Sequence, residues 1–152
     1  MLLFLHWAGF AVWLGAQMTF MVWGMASKQS GLETWAHTWM TLEKIQMRLV
    51  LPGAVAATVS GIALTMRLAG QPVEMGGAVW LLGMQAAGLV AGLIAIFVVT
   101  PLAGRMGRLA QQSLESGARH PNAERVRVRL AWAGTISGNL ILVAIAFVTF
   151  GK

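Results

Sequence analysis

LLFLHWAGFAVWLGAQMTFMVWGMA, residues Leu2 to Ala26, contains no Asp, Glu, Lys or Arg. A helix needs about 20 mostly apolar residues to cross the roughly 30 Å hydrocarbon core of a bilayer. This run meets that requirement. A secretory signal peptide would open with basic charge, carry a shorter apolar core and close on a small-residue cleavage site. Here the first basic residue is Lys28, and His6, Gln17, Trp7, Trp13 and Trp23 interrupt the run. It reads as a first span that stays in the protein.

The rest of the chain repeats the pattern. Hydrophobic residues make up 57% of the sequence and charged ones 11%, where a soluble domain carries roughly a quarter charged. The mean hydropathy is +0.70. So little polar surface cannot clothe a water-soluble core. The apolar residues fall in blocks, with spans expected at about 2–26, 49–66, 77–103 and 130–150. The fold class is therefore all-α: a single transmembrane domain over 1–152, a four-helix bundle running up-down-up-down.

Between the first two blocks, Lys28, Glu33, His37, Glu43, Lys44 and Arg48 interleave with Trp35, Trp39 and Met40. That mixture predicts a short surface helix before span two, with tryptophans at headgroup level. Pro52 is expected in the first turn of span two, where a missing N–H costs little. Gly70, Gln71, Pro72, Gly76 and Gly77 supply turn chemistry before span three. The third helix is expected to run on to Ser116, where Gly117 stops it.

Charge sets the topology. The segments after spans one and three hold Lys28, Lys44, Arg48, Arg105, Arg108, Arg119, Arg125, Arg127 and Arg129, nine of the 11 basic residues; the other side holds Arg67 and Lys152. The positive-inside rule then puts both termini outside the cytosol, in a bacterial inner (plasma) membrane. The net charge of +6 reads as attraction to anionic headgroups on the cytosolic side, with the lipid bilayer as the main partner and no nucleic acid. A homodimer or a larger membrane complex stays open.

Helix association in lipid relies on small residues that allow close approach. Ala57 with Gly61, Gly88 with Gly92, and Gly134 with Gly138 mark one groove on each of three spans. Intramolecular packing is the expected use, and a dimer seam the alternative. Arg48, Leu49 and Gly53 are echoed by Arg129, Leu130 and Gly134, a similarity that chance explains better than duplication of a hairpin.

Polar residues inside a span are functional candidates. His6 lies about five residues into the first span. At 100° per residue Phe10, Trp13, Gln17 and Gly24 fall near its line, a face on which a planar cofactor can lie. Imidazole is also a common metal ligand. The plainer reading is a histidine hydrogen-bonded to a neighbouring carbonyl. His37 and His120 lie in polar segments at the other end and read as solvated. Ten methionines raise Cu(I), a soft ion that suits thioethers, with packing as the plainer use of Met18, Met21 and Met25. By depth, Met66 and Met84 would stand nearest His6. Gln85 and Asn139 are amides able to bridge helices. No carboxylate lies inside a span, and no cysteine is present, so carboxylate proton relays, thiolate metal sites and cysteine nucleophiles are excluded. No catalytic residue is assigned, and enzymatic activity is left open.

Leu5-His6, Trp13 and Gly15 resemble the first helix of copper-resistance D (CopD) type membrane domains and of HemJ-type protoporphyrinogen oxidases. Met47-Arg48-Leu49, Pro52 and Gly61 are similar to the opening of their second helix. The resemblance covers roughly the first 65 residues. It implies a helical bundle with a histidine in the first span, associated with haem b in the HemJ branch, and with copper movement in the CopD branch. The position here is His6. The lysine that HemJ-type proteins carry early in the third helix has no counterpart in Trp80-Leu81-Leu82-Gly83-Met84-Gln85. The expected function is thus a small membrane protein holding haem b in a redox or cofactor role. The expected site is His6 as metal ligand, with Trp13, Gln17, Met66 and Met84 around the cofactor. Copper transport or resistance, and a structural subunit with no cofactor at all, are the alternatives.

Overall fold

The computed structural model describes residues 1–68 and 75–150. Its elements are α1 (Leu2–Ala26), a 3-10 turn (Ser27–Gln29), α2 (Leu32–Ile45), a π-turn (Gln46–Val50), α3 (Leu51–Leu68), α4 (Met75–Ile94), a second π-turn (Ala95–Val99), α5 (Thr100–Ser116) and α6 (Ala123–Phe150). No strand occurs among the described residues. The architecture is the expected all-α four-helix bundle, and four of its helical runs are long and apolar enough to cross a membrane. The turn expected around Gly70, Gln71 and Pro72 lies outside the described residues.

Two of the four runs are far longer than a bilayer requires. Leu32–Arg67 has 36 residues and Trp80–Ser116 has 37, about 54–56 Å each at 1.5 Å per residue. Their apolar parts fill a hydrocarbon layer of about 30 Å. The polar stretches α2 and α5 therefore reach beyond it. The helix expected before span two exists, but it runs into the span without a break. Gly117 ends α5 in the left-handed conformation, at φ 71°, as its lack of a Cβ permits.

Prolines explain the π-turns. Pro52 and Pro101 each stand two residues beyond a π-turn that ends at Val50 or Val99. Proline lacks an N–H, and its ring crowds the carbonyl four residues back. Widening the preceding turn relieves that crowding. The first-turn position expected for Pro52 is thus corrected: the residue is interior to a continuous helix, and the π-turn accommodates it. The two turns are also stitched together. Gln46 Nε2 donates to Thr100 Oγ1 at 3.0 Å, and Thr100 Oγ1 donates to Ala95 O at 2.9 Å.

The core has two parts with different chemistry. At the level of the spans, Trp13, Ala16, Val50, Ala54, Ala57, Ala91, Ala95 and Ile141 pack together. Small residues dominate because lipid supplies no hydrophobic drive and close van der Waals contact must hold the helices. Gly9 and Gly53 mark the closest crossing, that of α1 on α3. A Cβ on Gly9 would lie 2.9 Å from both Ala57 N and Gly53 O, and one on Gly53 would lie 2.9 Å from Gly9 O. Where α2 and α5 project, the core turns aromatic and aliphatic: Trp35, Trp39 and Leu42 meet Met106, Leu109, Val126 and Leu130. That composition suits burial from water. Arg119 ties down this end. Its guanidinium donates to Ser30 O at 2.6 Å and lies 5.1 Å from the Trp35 ring centroid.

The two glycines of the sequence echo meet different surroundings. Gly53 sits in the tight α1–α3 crossing, whereas a Cβ on Gly134 would meet only Gln17 Nε2, at 3.8 Å. The three small-residue pairs differ in the same way. Gly61 seats the His6 ring and Gly92 seats Thr58, while Gly88 has nothing within 4 Å of an added Cβ.

Candidate functional site

The line read along the first span is real. His6 and Phe10 are half-buried, Gly24 is buried, and Trp13 and Gln17 are 1% and 6% exposed. The rings step along α1: His6 to Phe10 at 6.4 Å between centroids, Phe10 to Trp13 at 6.3 Å.

Each polar group on this face has a defined partner. His6 Nδ1 lies 2.8 Å from Ala57 O, a pairing in which Nδ1–H donates to the carbonyl. Ser60 Oγ is 3.3 Å from the same nitrogen. Ser60 donates its own hydrogen to Ala56 O, so the hydroxyl oxygen is turned to the histidine. This arrangement fixes the imidazole tautomer and leaves Nε2 with its lone pair and no protein partner among the described residues. Below it, Trp13 Nε1 donates to Gln17 Oε1 at 3.1 Å, and Gln17 Nε2 donates to Gly134 O at 2.6 Å. Gln17 thereby joins α1 to α6, 117 residues apart.

The structure brings His6, Trp13 and Gln17 to one face. The methionines stand elsewhere: Met66 is 72% exposed near the end of α3, and Met84 is half-buried on α4, which packs mainly on α6. Met18, Met21 and Met25 are exposed along α1. No group of three or more His, Cys, Asp or Glu placed to hold a metal occurs among the described residues. His37 is exposed on α2. His120 caps its own loop, its Nδ1 accepting from Asn122 N at 3.1 Å. Asn139 is exposed, and the helix-bridging amides are instead Gln17 and Gln46.

A second feature went unread in the sequence. A cleft of about 130 Å³ opens between α1 and α6, from Gln17 to Met25 along α1 and from Thr135 to Arg127 along α6, with Trp39, Gln46 and Val99 behind it. Gln46 is 1% exposed and carries no mark in the sequence that sets it apart from the charged residues around it. The signals available were an amide and a tryptophan seven residues apart on one helix, too common a pattern to single out.

A family model described as "Predicted integral membrane protein (DUF2269)" matches residues 1–152, and the chain belongs to that family. No curated protein and no solved structure matches it.

Proposed function

We propose that this DUF2269 membrane protein holds haem b through His6 Nε2 and serves in a redox or cofactor-holding role. The observation that carries the reading is the Nδ1 hydrogen bond to Ala57 O. A metal-ligating histidine characteristically donates its other N–H to a carbonyl or carboxylate, which fixes the ring and raises its basicity. The resemblance to CopD- and HemJ-type first helices points to the same residue. Two positions that carry it also meet here: a Cβ on Gly61 would lie 3.1 Å from His6 Cε1. Glycine at 61 is what lets the ring lie against α3.

The remaining residues have supporting roles on this reading. Trp13 and Gln17 hold each other and Gly134, so they stiffen α1 beneath the histidine and fix its rotation. By depth alone, Met66 or Met84 would be the second ligand, although neither shares the face of α1 that carries His6. Bound haem supplies one-electron chemistry; the protein supplies an oriented imidazole and a largely apolar setting. The basic end of the bundle faces the cytosol of a bacterial inner membrane, which leaves His6 in the outer half.

The test is the visible spectrum and metal content of the protein purified from its membrane. A Soret band with haem iron near one per chain, lost in His6→Ala and retained in Trp13→Phe, supports the proposal. Copper without haem would replace it with copper handling. A protein free of both, and unable to take up added haem, would leave a structural subunit.

A further inference from the structure

We propose that the cleft between α1 and α6 is a binding site for one anionic phospholipid, with an acyl chain lying along α1 and the phosphate at the basic end beside Arg127. Four independent observations converge on it.

The first is open space. Gly134 and Gly138 form a small-residue stripe, yet an added Cβ on either would meet only the Gln17 amide, at 3.8 and 3.6 Å. Glycines that serve close helix crossing look different in this protein, as Gly9 and Gly53 show. Gly134 lines the cleft, and its missing side chain leaves room there beside the Gln17 amide. The groove extends from Gln17 to Met25, about 12 Å along α1, and its apolar walls suit part of an acyl chain.

The second is an unpartnered polar group. Trp39 is 4% exposed and lines the cleft, its ring edge lying across from Gly24. Its indole N–H has no acceptor among the described residues. Buried tryptophan N–H groups normally find one. The nitrogen is covered in this structure, and a glycerol ester carbonyl entering at this depth would be an acceptor of the right kind once the indole turns to it.

The third is charge. Arg127 lines the mouth of the cleft and uses Nε and Nη2 on Glu124, at 2.7 and 2.5 Å. A guanidinium has five N–H donors, so donors remain for a phosphate. Lys28 and Arg119 also act on the Glu124 carboxylate through space. The segments at this end of the bundle hold nine of the chain's 11 basic residues, which favours an anionic headgroup over a zwitterionic one.

The fourth is the backbone behind the cleft. Gln46 and Val99 line it, and they belong to the two π-turns. Proline accounts for both turns, and their consequence here is that Gln46 and Val99 stand together in the cleft wall.

The full-length protein is reconstituted in phosphatidylcholine bilayers containing phosphatidylglycerol, with the bromine label on the acyl chains of one lipid or the other. Quenching of tryptophan fluorescence reads which lipid lies in the cleft, and Trp39→Phe isolates the contribution of Trp39. Brominated phosphatidylglycerol is expected to quench the Trp39 component at far lower mole fraction than brominated phosphatidylcholine. Arg127→Gln should reduce that preference about fivefold, the worth of one basic residue at an anionic surface. Gly134→Leu, which projects into the groove, should abolish Trp39 quenching by either lipid while leaving helical content unchanged. Equal quenching by the two lipids in the native protein would overturn the proposal. So would native preference in both variants, or crosslinking that shows a second copy of the chain closing the cleft.

Discussion

Alanine at Gly9 should destabilise the bundle, whereas alanine at Gly15 on the same helix should not. At Gly9 the new methyl would lie 2.9 Å from Ala57 N and Gly53 O and 3.1 Å from the Ala56 Cβ, while at Gly15 it would meet nothing within 4 Å. The two atoms at 2.9 Å are backbone and cannot swing aside. The helices must separate by roughly half an ångström, and inserting a methyl into such a contact costs about 1–3 kcal/mol. Glycine-to-alanine replacement also gains about 1 kcal/mol of helix propensity. That gain is common to both variants, so it cancels when they are compared. The packing cost remains, a factor of roughly 5–150 in the unfolding equilibrium. Gly53→Ala should behave like Gly9→Ala, because its methyl would lie 2.9 Å from Gly9 O. Unfolding by steric trapping in bicelles measures the difference. If Gly9→Ala and Gly53→Ala both match Gly15→Ala within about 0.3 kcal/mol, the usual scatter between independent sites, the backbone crossing of α1 on α3 is wrong. The placement of His6 against Ala57 would fall with it.

Gln17→Leu should cost about 0.6–2 kcal/mol, the measured range for interhelical hydrogen bonds in membranes, because it breaks the tie to Gly134 and strands the Trp13 N–H; the same unfolding assay reads it. Gln46→Leu and Thr100→Val should be coupled by about 0.6 kcal/mol in a double-mutant cycle, again the interhelical average, and strict additivity would mean the π-turns are not bridged. A reporter that is active only in the cytosol should be silent when fused after Lys152 and active when inserted after Gly117, as the distribution of basic residues requires; the reverse pattern would invert the topology.

Much of this architecture was legible because the bilayer imposes a simple rule. A run such as Leu2 to Ala26, free of acidic and basic residues, has few folds open to it besides a spanning helix. The end of α5 was legible for a local reason, since Gly117 follows a polar helix and takes up a left-handed conformation. The shared face of His6, Trp13 and Gln17 followed from helical periodicity alone. What was hidden depends on partners distant in sequence. Pro52 looked like a helix start because local rules place proline there, and only the continuous helix on either side shows the π-turn that accommodates it. Spacing four residues apart flagged Gly134 and Gly61 alike. Their neighbours separate them, since Gly61 supports a histidine and Gly134 lines the cleft beside the Gln17 amide. The cleft joins residues from opposite ends of the chain, and periodicity along one helix carries no information about such a pairing.

The central claim is that His6 presents a ligand nitrogen in the half of the membrane bearing the termini. The direct measurement is cofactor content per chain in three single variants, His6→Ala, His37→Ala and His120→Ala, purified identically. His6 is about 20 residues before the end of α1, so roughly 30 Å of helix separates it from the basic end, where His37 is exposed on α2 and His120 caps its own loop. The account predicts that His6→Ala loses the cofactor while His37→Ala and His120→Ala keep it at the native level. Full loading in His6→Ala, with loss in either of the other two, would contradict it and move the site to the opposite end of the bundle.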